Sequence, residues 1–374
     1  MKFSSLILTL FLTGCAALVE PPDPGLLAEI LGNQSDEATE KPVVVDVLAM
    51  SDELKAFVDA RIDPKWRSKK RLEKLRSILF SPDLFAIEYQ SGKTKTAIET
   101  YQSGSGNCLS MTNLFIAMAR YSGLDAHYHL VTARPEWDRS GNTLIWTQHI
   151  NSTGVLRNGD QYILDFLPQL RVIRGEMKTV SDQYAQAIYY SNLGAEAILN
   201  DRFEDALEYL RTALRIEPRM ADVWNNMGAT QNRLKRADLA KASFQQAIIL
   251  DAFNNTAMSN LSRIYFAEGS VERGEFFADR VARYRNKNPY YRYANAKSAL
   301  LVKDYTKARE ELNAAIRLKK DEAAFFDALA EVYAGLGDEE KQLISLRVAK
   351  LIREESTTRR SSLEIYRSGN VVLR

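Results

Sequence analysis

From residue 187 onward the chain repeats itself every 34 residues, and a fixed period of that length demands a stack of identical small units rather than one closed core. A frame opening at 187, 221, 255, 289 and 323 aligns without gaps. Its eighth position holds Gly194, Gly228, Ser262, Ala296 and Ala330. Its twentieth holds Ala206, Ala240, Gly274, Ala308 and Gln342, and its twenty-seventh Ala213, Ala247, Val281, Ala315 and Ala349. Small side chains at such spacing let two antiparallel helices approach closely. Each unit therefore reads as a helical hairpin that buries its apolar face only against its neighbours. A non-repetitive helical domain leaves the period unexplained.

Trp224, Phe244, Tyr265, Tyr333 and Pro218 occupy the remaining diagnostic slots. The pattern resembles the tetratricopeptide repeat and implies an all-α solenoid over residues 187–356, with about five repeats and a degenerate third. Residues 357–374 are left as a C-terminal cap or tail. Asn192, Asn226 and Asn260 share the sixth position of three successive repeats. In related solenoids such asparagines face the concave surface and bind extended peptide backbone, for which an amide with donors and an acceptor is suited. The resemblance thus implies a protein or peptide partner, with Arg233 and Arg263 as further groove candidates. A consensus asparagine without a binding role is the competing reading.

At the other end, Lys2 precedes the apolar run Leu6–Leu12, too short to span a bilayer and suited to the core of a secretion signal. It closes on Leu12-Thr13-Gly14-Cys15, which resembles the lipobox of bacterial lipoproteins. That resemblance implies a signal peptide over 1–14, acylation of Cys15 (palmitate among the chains), and anchorage in the bacterial cell envelope facing the periplasm. Ala16 in place of Asp favours the outer membrane. An ordinary cleaved signal with a chance cysteine is the alternative. Residues 15–50 read as a lipidated tether, broken early by Pro21, Pro22, Pro24 and Gly25, with a short strand or docked segment at Val43–Leu48. Lys plus Arg number 50 against Asp plus Glu 48, which leaves no basic footprint for nucleic acid.

The span 51–180 differs in kind. Ser51 caps a helix, a second helix covers Ser68–Phe80, and a third is expected over Cys108–Tyr121, ended by Gly123. Strands are expected at Ala126–Thr132, Leu144–Ser152 and Gln161–Leu167, with a hairpin at Asn158-Gly159. Cys108 is the one cysteine besides Cys15, so acylation of Cys15 leaves it without a disulfide partner. A thiolate at a helix start is favoured by free N–H groups and the helix dipole, and a nucleophile there needs a base and an orienting acid.

The string Gly106-Asn107-Cys108-Leu109-Ser110, continued by Leu114-Phe115-Ile116-Ala117-Met118-Ala119-Arg120, is similar to the cysteine block of the bacterial transglutaminase-like superfamily. His149 and Asp165 match its histidine and aspartate in type and spacing. The resemblance implies a papain/transglutaminase-like α+β domain, the cysteine helix packed on an antiparallel sheet. It assigns Cys108 as nucleophile, His149 as base and acid, and Asp165 as the group that holds the imidazole. The implied activity is that of a peptidase, amidase or acyltransferase working on a protein or peptide amide through a thioester, with no cofactor. The alternative is a non-catalytic periplasmic scaffold whose domain is inactive or only binds. The oxyanion needs the Cys108 N–H and one further donor, for which Gln102 and Trp146 are candidates, against surface and core roles for each. His127 and His129 share a strand face, and with His149 they offer a rival zinc site; the preferred reading has no metal.

Register poses a separate test. A two-residue turn at Asn158-Gly159 sets Asp165 opposite Ser152 and turns His149 to the other sheet face. One extra residue sets Asp165 opposite Asn151 with His149 as its diagonal neighbour on the same face, and Gly154 is the natural place, so an irregularity is expected near Thr153-Gly154.

Overall fold

The structure is a computed structural model and describes residues 19–32, 44–81, 84–85, 87–90, 92–131, 136–140, 143–147, 149–166, 177–357, 362–367 and 370–372. Cys15 and its surroundings lie outside these. The chain forms two units, Met1–Lys41 with Ala197–Ala282, and Pro42–Glu196 with Arg283–Arg374. Among the described residues no helix is long and apolar enough to cross a membrane.

The expected tether contains a helix, α1 (Pro24–Leu31). Pro24 occupies the first helical turn, where a missing N–H costs nothing, and Asp23 caps it by accepting from the Gly25 N–H at 2.6 Å. Reading that proline as a breaker was the error, because position within the turn decides its effect. Val45 and Val47 are docked rather than paired in a sheet: the Val45 N–H donates to the Tyr190 hydroxyl, and the Val47 carbonyl accepts from the Ala97 N–H.

Helix α2 (Asp52–Asp59) starts at Ser51, whose hydroxyl accepts from the Leu54 N–H, as expected. Helix α3 (Ser68–Phe80) buries Leu72, Leu75, Ile78 and Leu79. A short strand β1 (Glu88–Tyr89), helix α4 (Ala97–Ser103) and strand β2 (Ser105–Gly106) follow, β1 and β2 pairing in parallel. Helix α5 (Cys108–Tyr121) has the expected bounds, and Gly123 beyond it adopts φ +71°. Leu114, Phe115, Ile116 and Met118 put α5 at the centre of the domain core.

The strands are β3 (His127–Val131), β4 (Glu136–Ser140), β5 (Thr143–Thr147), β6 (Ile150–Val155), β7 (Gln161–Asp165) and β8 (Met177–Val180). The expected single strand Leu144–Ser152 is divided. Its first half pairs with β4 in a separate hairpin, and its second half enters the main sheet as β6.

Helices then run in pairs: α6 (Asp182–Leu199) with α7 (Phe203–Ile216), α8 (Ala221–Arg233) with α9 (Ala237–Leu250), α10 (Asn255–Ala267) with α11 (Val271–Arg285), α12 (Pro289–Leu301) with α13 (Tyr305–Leu318), and α14 (Ala323–Leu336) with α15 (Glu339–Thr357). The turn inside each pair carries a left-handed residue, namely Asp201, Lys235, Gly269, Lys303 and Gly337, spaced by the sequence period. The small positions act as expected. A Cβ on Gly228 would lie 2.7 Å from the Phe244 ring, and Ser262 donates to the Gly274 carbonyl at 2.8 Å.

The described residues beyond 357 belong to the sheet, neither a helical cap nor a free tail. Strands β9 (Ser362–Arg367) and β10 (Asn370–Val372) join the sheet, whose order is β10-β9-β7-β6-β3-β8. Nothing local announces this pairing, because the partner strand β7 lies far back in the chain.

Candidate active site

Cys108 is the first residue of α5 and half-buried. The loop before it is fixed by polar contacts. Asn107 caps the helix, accepting from the Ser110 N–H at 2.9 Å and the Ser110 hydroxyl at 2.8 Å, while its Nδ2 donates to Thr94 Oγ1 at 2.7 Å. Gly106 is required there, since a Cβ would sit 2.5 Å from that of Ser110. Behind the cysteine, Thr112 donates to the Cys108 carbonyl, and Asn113 accepts from the Tyr128 hydroxyl at 2.7 Å, joining α5 to β3. Sequence and loop together hold the thiol at a helix start with its backbone N–H free of the helical ladder.

His149 lies at the break between β5 and β6, and Asp165 ends β7. Both are buried, at 7% and 5% exposure, so each needs a partner. They supply one another. His149 Nε2 lies 2.8 Å from both Asp165 oxygens. The other ring nitrogen, Nδ1, is buried with no hydrogen-bond partner among the described residues, and the Cys108 sulfur is near enough to favour the charged ring. Burial works against a charged ring, but the Asp165 carboxylate and then Cys108 outweigh it and push the His149 pKa up to about 10. An imidazole held protonated between an acid and a thiol is equipped to give a proton to a leaving amine and take one back.

The shared face arises otherwise than expected. Pairing runs Ser152 with Leu164, Thr153 with Ile163, Gly154 with Tyr162 and Val155 with Gln161, regular through Gly154. The extra residue is in the turn. The Leu156 N–H donates to the Asp160 carbonyl and the Gly159 N–H to the Leu156 carbonyl, both at 2.8 Å, giving a three-residue loop closed by Gly159 at φ +84°. The expected bulge at Gly154 is therefore absent. That glycine instead admits the Asp125 carbonyl, which a Cβ would meet at 2.0 Å.

Continuing the register sets Asn151 beside Asp165, and its Nδ2 donates to Asp165 Oδ2 at 3.2 Å. Asn151 is 1% exposed and also stands opposite His129 across β3. The shifted register expected from the sequence sets this residue opposite Asp165, and only its part as a donor to the carboxylate went unread.

The other candidates are scattered. Gln102 is exposed on α4, beside an open cleft with Lys93, Lys95, Glu99 and Glu196. Trp146 pairs with Trp137 across β5 and β4, and its side chain lies outside the described residues. His127 contacts Asp125 at 2.8 Å, His129 has its pKa lowered by burial, partly offset by Asn151, and His149 is engaged by Asp165. Among the described residues no three His, Cys, Asp or Glu side chains gather as a metal site. In the repeats, Asn260 Nδ2 donates to Asn225 Oδ1 at 3.4 Å, Asn225 reaches Asn226 at 3.4 Å, and Arg263 donates to Asn260. Arg233 pairs instead with Asp201 at 2.8 Å, and Asn192 is half-buried on α6.

A model of the transglutaminase-like superfamily matches residues 72–162, and a tetratricopeptide-repeat model matches 221–254. The chain carries a transglutaminase-like domain followed by tetratricopeptide repeats. Cys108 and His149 fall inside the transglutaminase-like match, and Asp165 lies just past its end. Anaphase-promoting complex subunit 3 of Schizosaccharomyces pombe (strain 972 / ATCC 24843) is 26% identical over 144 residues, 38% of this chain and 22% of that protein. The chain thus spans about a fifth of that relative's length. Among solved structures, MamA is 16% identical with a TM-score of 0.28, over 44% of this chain and 97% of that one. YrrB, described as a TPR protein with an unusual peptide-binding site, is 18% identical with a TM-score of 0.26, over 45% and 87%. BtubC from P. vanneervenii is 17% identical with a TM-score of 0.30, over 52% and 89%.

Proposed function

We propose that the transglutaminase-like domain is a cysteine peptidase, amidase or acyltransferase that cleaves an amide of a protein or peptide through a thioester. The observation that carries this reading is the Nε2 of buried His149 held at 2.8 Å by both oxygens of Asp165, with Cys108 at the start of α5 near enough to favour the charged ring. The Cys108 thiolate attacks the carbonyl carbon, and the Cys108 N–H steadies the oxyanion. His149 gives its proton to the departing nitrogen as the C–N bond breaks. Water or an amine then attacks the thioester, His149 takes the proton, and the thiolate leaves. Water completes a hydrolysis, an amine a transfer.

The repeats recruit the protein substrate or a partner, with Asn226, Asn260 and Arg263 as groove residues. Lipidation at Cys15 holds the protein in the bacterial envelope, facing the periplasm from the outer membrane. The test is alkylation of Cys108 by an iodoacetamide-type amide mimic, followed by mass spectrometry. Rapid labelling that His149→Ala abolishes, with the fold retained, is expected. Slow labelling indifferent to His149 rejects the enzyme and leaves a scaffold.

A further inference from the structure

The segment before the domains is a strap laid along the second helices of the repeats. Helix α1 packs on α7 and α9, the second helices of repeats one and two. Ile30 is fully buried, and its carbonyl accepts from Arg211 Nε at 2.9 Å. Upstream, Glu20 pairs with Arg273 of α11 at 2.7 Å, and Val19 is buried in an apolar dimple with Ile248, Met258 and Phe277. The strap thus crosses three successive second helices and ends at Val19.

Cys15 is four residues before Val19. Four extended residues reach at most about 14 Å. A lipidated Cys15 therefore brings the rim of that dimple to the headgroup layer, whose thickness on each side of a bilayer is about 5–8 Å. The rim has the composition for it. Phe253 is 80% exposed and Ile249 44%; Ile249 lines the dimple with Arg280, whose guanidinium donates to the carbonyl of Ala252, the residue before Phe253. An exposed aromatic and aliphatic pair with a cation at the edge matches an interface where apolar side chains enter and arginine meets phosphate.

We infer that this face of repeats two and three, centred on Phe253, rests on the anionic headgroup surface of a lipid bilayer, oriented by the strap. The inference builds on the lipidation of Cys15. The anchor then fixes a facing as well as a location, because the docked strap shortens the leash.

The experiment uses the full lipidated chain in phosphatidylethanolamine/phosphatidylglycerol vesicles containing doxyl-labelled lipid. A bimane is placed at Phe253→Cys or at Arg263→Cys on α10, in a Cys108→Ser background. Quenching at 253, its absence at 263, and its loss when Val19→Asp/Ile30→Asp frees the strap are expected. Vesicle-bound, acylated protein that shows no quenching at 253, or equal quenching at both sites, overturns the orientation and leaves the anchor standing. A mature chain without acyl groups by mass spectrometry, which fails to float with vesicles, overturns both.

Discussion

The β6–β7 hairpin and the turns inside the repeats use the same backbone device with different stakes. Both place a left-handed residue at the reversal, Gly159 in the hairpin and Asp201, Lys235, Gly269, Lys303 and Gly337 in the repeats. In the repeats three of the five are not glycine. Each pays about 1–2 kcal/mol of local strain, and the neighbouring repeats hold the helices regardless. In the hairpin the residue sets a count. Side chains alternate along a strand, so one residue more or fewer in the turn decides whether Asp165 meets His149. A solenoid stores position locally and forgives a poor turn, whereas a sheet site depends on it.

The largest effect is expected from deleting Ile163, which keeps the Leu156–Asp160 turn and moves Asp165 one place along β7. Asp165 should leave the face of His149, with a loss of about 3–5 kcal/mol from a stranded buried acid. Chemical denaturation reads the loss, and Cys108 alkylation should become independent of His149. Asp165→Asn isolates the charge without moving the strand. Catalysis of the proposed reaction should fall about 10²–10⁴-fold. The pH dependence has a definite sign. The His149 pKa is raised from 6.5 to about 10, so the stability from its pairing is complete below pH 6.5 and lost as pH rises through about 10. NMR titration of His149 should show that upper pKa falling in Asp165→Asn; an unchanged value refutes the pairing.

Asn151→Ala comes next. It removes a buried donor from Asp165 Oδ2 and should cost about 1–3 kcal/mol in thermal unfolding, with activity reduced rather than abolished. The smallest pair sharpens the contrast directly. Gly159→Ala should destabilise by about 1–2 kcal/mol, and Lys235→Gly should relieve strain of the same order, offset in part by the entropy glycine adds to the unfolded chain. Equal and opposite changes in melting temperature would erase the distinction drawn between hairpin and repeat.

Much of this architecture could be read beforehand because its causes are local. The bounds of α5 follow from Asn107, the apolar run through Met118 and Gly123, all within one helix and its ends. The repeat turns follow from a period. The order of Cys108, His149 and Asp165 was legible as a spacing of residue types, and the contact between the last two is what the structure adds. The route by which His149 and Asp165 share a face was not legible, since Asn158-Gly159 suits a two-residue turn equally well and only pairing of Leu156 with Asp160 selects the longer loop. The break at His149 was hidden because the residues from Leu144 to Ser152 read as one continuous strand. The part of Asn151 as a donor was hidden because register sets its place and not its bonds, and α1 because Pro24 was weighed by type rather than by its place in the first turn.

The pairing of β7 with β9 has a consequence in time. Residues 161–165 wait for a partner made roughly 200 residues later, so the strand bearing Asp165 keeps a bare hydrogen-bonding edge while the helices between are synthesised. At about 5–20 residues per second that interval lasts on the order of 10–40 s. During it the growing chain offers any passing strand a vacant place, and truncations that remove β9, from Ser362 onward, would make that vulnerability permanent.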